Sequence, residues 1–329
     1  MNTYLLSPWF TLYFISLLML SHINLANASS LNDSQKEPIF VEYMTKGEIH
    51  TIAGKKTTQG YQFNSQSKKV LNLATLSWPP YISEQECDKG WVFNFTAALL
   101  VSKGYQVNIH FYPWARSKML VEQGKVDILF PEYAPEKAVF SDVSIEENNA
   151  DLLTLTDSFP GGDVSLATHK DNPVTYTGDL SILHNKVVGV VRGYINTKEI
   201  DAMIREDKFS AVEAVNELQL VKLLVEKRVD FIVGDSKVFT HAVKLSGLPL
   251  KHQQRLLENI NYIKPEVTRH AFVYSLSKKR PEHKRLFSDI NSALSAFKQS
   301  GLTKQFIQAK TQCYSKNTTK VDIKVRLKS

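Results

Sequence analysis

Residues 112–133, YPWARSKMLVEQGKVDILFPEY, gather Tyr112, Pro113, Trp114 and Arg116 just ahead of an amphipathic helical pattern. That pattern breaks at Gly124 and is followed by an apolar strand, which stops at Pro131, Glu132 and Tyr133. Aromatic and charged groups therefore stand at both mouths of one helix. Ligand-bearing loops are found at such strand ends in open α/β sheets.

The motif recurs. MLVEQGKVDILFPE (119–132) resembles LLVEKRVDFIVGD (223–235) with one residue deleted. In each copy a helix ends in basic residues, turns, and enters a short apolar strand closed by an acid, Glu132 or Asp235. Upstream, Lys186–Val191 reads as a strand like Val70–Ala74. The first runs into Arg192-Gly193-Tyr194 and the second into Trp78-Pro79-Pro80-Tyr81. Asn196 and Glu199 form a capping-box pattern for the helix that follows. Between these landmarks a helix is predicted through Phe93, Ala97, Leu100 and Val101, stopped by Gly104, and a strand over 105–111.

Strands alternating with helices imply parallel βαβ units, and two copies imply two α/β lobes. The reading divides the chain into a signal peptide (1–28), a polar extension (29–68), a first lobe (69–158) and a second lobe (159–265). A return segment to the first lobe (266–313) and a basic tail (314–329) complete it. Phe159-Pro160-Gly161-Gly162 is the expected crossover, and the return segment is expected to supply one strand and two helices.

Composition is consistent with this. The chain has 329 residues, 43% hydrophobic and 22% charged, with a formal charge of +7. Its Lys and Arg residues are scattered rather than set in a basic helix or aromatic-basic stripe, so nucleic acid is not the expected partner. An apolar run from Phe10 to Leu20 followed by Ala26-Asn27-Ala28 predicts export to the periplasm, with cleavage after Ala28. Export makes one disulfide between the two cysteines, Cys87 and Cys313, a reasonable expectation.

If the lobes face each other, Tyr81, Trp114, Arg116, Glu132 and Tyr133 meet Arg192, Gly193, Tyr194 and Asp235 across one cleft. The helix near Asn196 would offer free N–H groups to an anion. A mix of cations and acids suits a zwitterionic or otherwise polar small molecule.

These residues resemble a known family, the periplasmic solute-binding proteins of the polar amino-acid type (family 3) that feed ABC importers. The matching pieces are WPPY (78–81), PWAR (113–116), GKVDILF (124–130), PEK–FS (135–141), KVVGVVRGY (186–194), RVDFIVGD (228–235) and FVYSLSKKRPE (272–282). The resemblance implies a two-lobed, hinged fold (type II) with the ligand cleft at the lobe interface. It also implies a binding role without catalysis, no cofactor, a monomer, and a membrane permease or receptor as partner. Amino-acid-binding members hold the ligand carboxylate with an Arg before the FS segment, where this chain has Lys137. Their acid for the ligand ammonium corresponds to Asp235. A ligand-sensing module for a separate receptor is the alternative.

An esterase reading of Gly234-Asp235-Ser236 fails on its base. After Ser236 the aspartates are Asp289, followed by Ile290, Asn291 and Ser292, and Asp322, followed by Ile323, Lys324 and Val325, so neither stands in an Asp-x-x-His pattern. A serine without an oriented base is not activated. The nine His residues show no metal-ligand spacing.

Overall fold

The computed structural model describes residues 38–134 and 152–309. The strands are β1 (Pro38–Thr45), β2 (Glu48–Thr57), β3 (Gly60–Phe63), β4 (Val70–Thr75), β5 (Gln106–Phe111), β6 (Ile128–Tyr133) and β7 (Leu153–Leu155). They continue as β8 (Phe159–His169), β9 (Val187–Val191), β10 (Ser210–Ala214), β11 (Phe231–Gly234), β12 (Ile260–Tyr262) and β13 (Thr268–Ser277). The helices are α1 (Trp91–Ser102), α2 (Trp114–Glu122), α3 (Lys198–Arg205), α4 (Glu217–Val225), α5 (Ser236–Lys244), α6 (Leu250–Glu258), α7 (His283–Gln299) and α8 (Leu302–Gln308).

Two sheets share one plan. In the first, β4 lies between β5 and β6 and is parallel to both, and β13 adds antiparallel to β6. In the second, β9 lies between β10 and β11, again parallel to both, and β8 adds antiparallel to β11. The aspartate of the repeated Val-Asp pair does the same work in each. Asp127 accepts the Asn72 N–H at 2.7 Å, and Asp230 accepts the Val187 N–H at 2.8 Å. Each carboxylate thus ties the entry of the third strand to the first.

The structure corrects the one-residue deletion. Helices α2 and α4 both have nine residues. Each ends in a residue with positive φ, Gly124 at 73° and Lys227 at 57°. In both turns the next two backbone N–H groups fold back onto the helix: Gly124 to Val121 and Lys125 to Leu120, Lys227 to Leu224 and Arg228 to Leu223. This is the Schellman closure, which satisfies carbonyls the helix leaves open. The copies therefore align without a gap, with Met119 opposite Lys222. Glycine adopts this conformation without strain, whereas Lys227 adopts it against its Cβ.

The two lobes join through β8 and β13. From Phe159 to Val164, β8 pairs with β13, and from Ser165 to Thr168 it pairs with β11. Strand β13 runs from β8 to β6 in the same manner. Both strands change partners at the waist, so two antiparallel crossings connect the lobes.

Separate cores support each lobe. The first gathers Phe63, Leu71, Leu73, Phe93, Phe95 and Leu99 with Ile290 and Phe297 of α7 and Phe306 of α8. The second sheet is covered on two faces. One cluster holds Leu220, Leu224, Ile232 and Phe239; the other holds Leu166, Val188, Ile200 and Phe231. Fully buried apolar strands on both faces are what a parallel sheet between helices requires.

Two readings change. The polar extension is not outside the domain from residue 38 onward. Strands β1 to β3 continue the first sheet through β3 and β5, and Val41, Tyr61 and Phe63 are buried in its core. We expect Phe63→Ala, which removes a ring stacked edge-on against Phe93 at 5.7 Å, to destabilise the protein by about 3–5 kcal/mol in chemical denaturation. A negligible change would mean that β3 merely drapes over the lobe. The helix after Arg192-Gly193-Tyr194 also starts later than its capping-box pattern suggests. Thr197 is the N-cap, accepting the Ile200 N–H, while Asn196 bonds to Asp201 instead.

Candidate functional site

The C-terminal ends of the central strands of both sheets face one cavity between the lobes, about 430 Å³ including the solvent at its mouth. Leu76, Trp78, Trp114, Pro131, Glu132 and Tyr133 line it from the first lobe, and Gly193, Tyr194 and Ile195 from the second.

Three of the aromatic walls are fixed by a hydrogen bond at the polar edge. Trp114 opens α2 and donates its indole N–H to the Gly193 carbonyl at 3.1 Å, across the cleft. Tyr194 donates its hydroxyl to Glu217 at 2.9 Å, and Trp78 approaches the same carboxylate from the other lobe. The Tyr133 hydroxyl reaches the Asp163 carbonyl at 3.3 Å. Trp114 stands edge-on to Tyr194 (84°) and Trp78 edge-on to Tyr133 (77°), so the rings meet as walls of a box.

Two acids belong to this box, Glu132 half-buried and Glu217 buried. Glu132 lines the cavity and accepts from the Ser275 hydroxyl; burial raises its pKa above the ordinary carboxylate range. Glu217, only 4% exposed, is raised to about 7, chiefly because burial penalises its charged form. Asp163 differs. Burial pushes it up, but the hydrogen bond from Arg269 and the charge of Lys237 outweigh that and hold it below the usual range.

Asp235, expected to meet a ligand, is engaged by the protein on both oxygens. One accepts the Lys237 and Val238 N–H groups as N-cap of α5. The other accepts the Tyr81 hydroxyl at 2.6 Å and the Asp163 N–H at 3.0 Å. Tyr81 and Asp235 therefore form a clasp between the lobes rather than cavity wall. Burial, followed by the Asp235 charge, raises the Tyr81 pKa well above that of a free phenol. Gly162 permits the clasp: a Cβ there would lie 2.9 Å from the Asp235 carboxylate, 3.0 Å from the Tyr81 hydroxyl and 3.1 Å from that of Tyr133. Gly162→Ala is expected to part the lobes, visible as a larger radius of gyration in small-angle scattering; an unchanged radius would show that the clasp yields freely.

Two expected cations are not in the cleft. Arg116 sits on the exposed side of α2, its guanidinium 4.9 Å from the Tyr112 ring centre, because the turn that buries Trp114 carries Arg116 outward. Arg192 is exposed and paired with Glu213 at 2.7 Å, since its backbone N–H binds Ala214 and directs it along the sheet edge. Lys137 and Cys313 lie outside the described residues, and Cys87 lies in the loop before α1. Among the described residues, no group of three or more His, Cys, Asp or Glu is arranged to hold a metal. Asp289 bonds the Tyr105 hydroxyl at 2.7 Å in the first lobe, whereas Ser236 opens α5 in the second.

Local patterning does not single out Trp78, Asp163 or Glu217, although the ungapped repeat points to the last of them. Trp114 is the third residue after β5 ends at Phe111, as Glu217 is the third after β10 ends at Ala214.

No family model and no curated protein matches the chain. Solved structures do. An ancestral arginine-binding protein bound to arginine superposes with a TM-score of 0.57, at 17% identity over 73% of this chain and 97% of that one. The fold is that of the two-lobed periplasmic binding proteins. An ABC uptake transporter substrate-binding protein from Streptococcus pneumoniae with bound histidine gives 0.57, at 17% identity over 74% and 92%. A histidine kinase sensor domain with similarity to periplasmic binding proteins gives 0.56, at 15% identity over 73% and 94%. This binding-protein fold accounts for the paired sheets, the crossing strands and the position of the cavity. Among the described residues no helix is long and apolar enough to cross a membrane.

Proposed function

We propose that the protein is an exported, monomeric solute-binding protein that captures a small polar, amino-acid-like solute by hinge closure and presents it to an ABC importer. The observation carrying this reading is the cavity whose walls come from both lobes, with Trp114 of one bonded to Gly193 of the other. A ligand touching both walls favours the closed arrangement by its differential affinity for it, which is what hinge closure needs. The hinge runs through β8 and β13. Trp78, Trp114, Glu132, Tyr133, Gly193 and Tyr194 are the contacts, with Tyr81 and Asp235 holding the lobes together. The arginine- and histidine-bound neighbours support an amino-acid-like solute.

Export rests on residues 1–28 and places the protein in the periplasm, where Cys87 and Cys313 would join. Such a bridge predicts no reactive thiol in the unreduced, denatured protein and two after reduction; thiols that titrate before reduction refute it. A thermal-shift screen of amino acids, peptides, sugars and organic acids against the mature protein tests solute capture, with a raised melting temperature as the expected result. A silent screen would remove the reading.

The kinase sensor-domain neighbour favours a second reading, a sensing module for a separate membrane receptor. The two separate in reconstituted vesicles: an importer partner gives ATP-dependent solute uptake that requires this protein, and a receptor partner gives none.

A further inference from the structure

The polar edges of three of the four cavity rings are engaged within the protein. The indole N–H of Trp114 goes to the Gly193 carbonyl, and the hydroxyls of Tyr194 and Tyr133 go to Glu217 and the Asp163 carbonyl, while Trp78 lies beside Glu217. The wall therefore presents mainly ring faces and edges to a solute. Ring faces carry negative potential and attract cations.

The charged groups on the cavity wall and directly behind its rings are acids. Glu132 lines it, and Glu217 lies directly behind Trp78 and Tyr194. Neither takes part in an ion pair among the described residues, and the residues lining the cavity include no Lys, Arg or His. A buried carboxylate held without an ion pair is unfavourable, and the penalty falls when a cation arrives; at Glu132 the charge of Lys118 offsets burial only in part.

Resting on the solute-binding reading above, we propose that this cleft takes a small organic cation, its charge on an alkylated ammonium or a guanidinium, seated among Trp78, Trp114, Tyr133 and Tyr194 and balanced by Glu132 and Glu217. The titratable groups facing Glu217 are Tyr194, Tyr133 and Asp235. Glu217 alone among these is raised to about 7, so cation affinity rises as the pH passes from 6 to 8 and the carboxylate ionises.

Isothermal titration of the mature protein with choline, agmatine, L-glutamate and D-ribose tests this. The expected result is binding of choline or agmatine and neither of the others. Glu217→Gln weakens that binding at least tenfold at pH 8 and removes its rise with pH. Trp114→Leu weakens it at least tenfold at every pH while leaving the rise in place, which distinguishes the ring from the charge. Binding of glutamate or ribose with no response to either cation overturns the cation assignment and leaves solute capture standing. Unchanged cation affinity in Glu217→Gln overturns the charge balance. Silence from all four, together with a silent thermal-shift screen, removes the solute-binding reading as well.

Discussion

Asp235→Ala lowers the stability of the protein by about 3–5 kcal/mol, because one carboxylate closes a helix and a lobe interface together. As N-cap of α5 it is worth about 1 kcal/mol. Its loss also strands the Tyr81 hydroxyl and the Asp163 N–H, both buried, at about 1–3 kcal/mol each. Asp235→Asn keeps an amide oxygen for the cap but sets its NH2 against the Asp163 N–H, which then lacks an acceptor, so only part of the loss is recovered. Tyr81→Phe removes one bond and leaves the cap untouched, which separates the clasp from the helix. Chemical denaturation of the three variants provides the ranking Ala, Asn, Phe from least to most stable. An alanine variant within 1 kcal/mol of the parent would contradict both roles.

The second large effect is one of pH. Glu217 has its folded pKa raised from 4.5 to about 7 by burial. Between those values the native state holds a proton that the unfolded chain releases, so stability falls as pH rises through this window. The contribution is fully present below about pH 4.5 and is lost above about pH 7. A tenfold difference in proton affinity between the two states corresponds to about 1.4 kcal/mol, so the fall amounts to about 3 kcal/mol at most. Glu132, also raised by burial, adds in the same direction. Asp163, held below its usual range, acts at lower pH and with opposite sign, outside this window. Melting curves from pH 5 to pH 8 should therefore show the protein losing stability, and Glu217→Gln should flatten most of the slope. A parallel slope in the variant would assign the effect to other groups.

Strands β4, β5, β9 and β11 and helix α1 are legible in the sequence because their apolar residues sit close together in the chain. So is the duplication, since Val126-Asp127 and Val229-Asp230 repeat within similar surroundings. Strands β1 to β3 are not, for a physical reason. The edge strand β1 buries Val41 alone and its neighbour β2 buries no residue, while β3 buries Tyr61 and Phe63 but is only four residues long, so the stretch looks like an extension. The signal that does mark them is the two-residue turn Lys46-Gly47, both at positive φ, joining Thr45 to Glu48.

In the cleft, the loops that carry ligand contacts follow from strand order, which local patterning encodes. Which side chain on each loop turns inward does not. Trp114 and Arg116 stand two residues apart on one helix, and only its phase against β4 and β6 buries the first and exposes the second. Asp235 keeps the strand-end position its sequence announces, yet its oxygens are claimed by an N-cap and by Tyr81, 154 residues away along the chain. Residue type, periodicity and repetition thus determined two similar α/β units with polar rims. Tertiary packing alone decided which rim groups bond to each other and which stay open to a solute, because hydrogen-bond partners distant in sequence compete for the same few atoms.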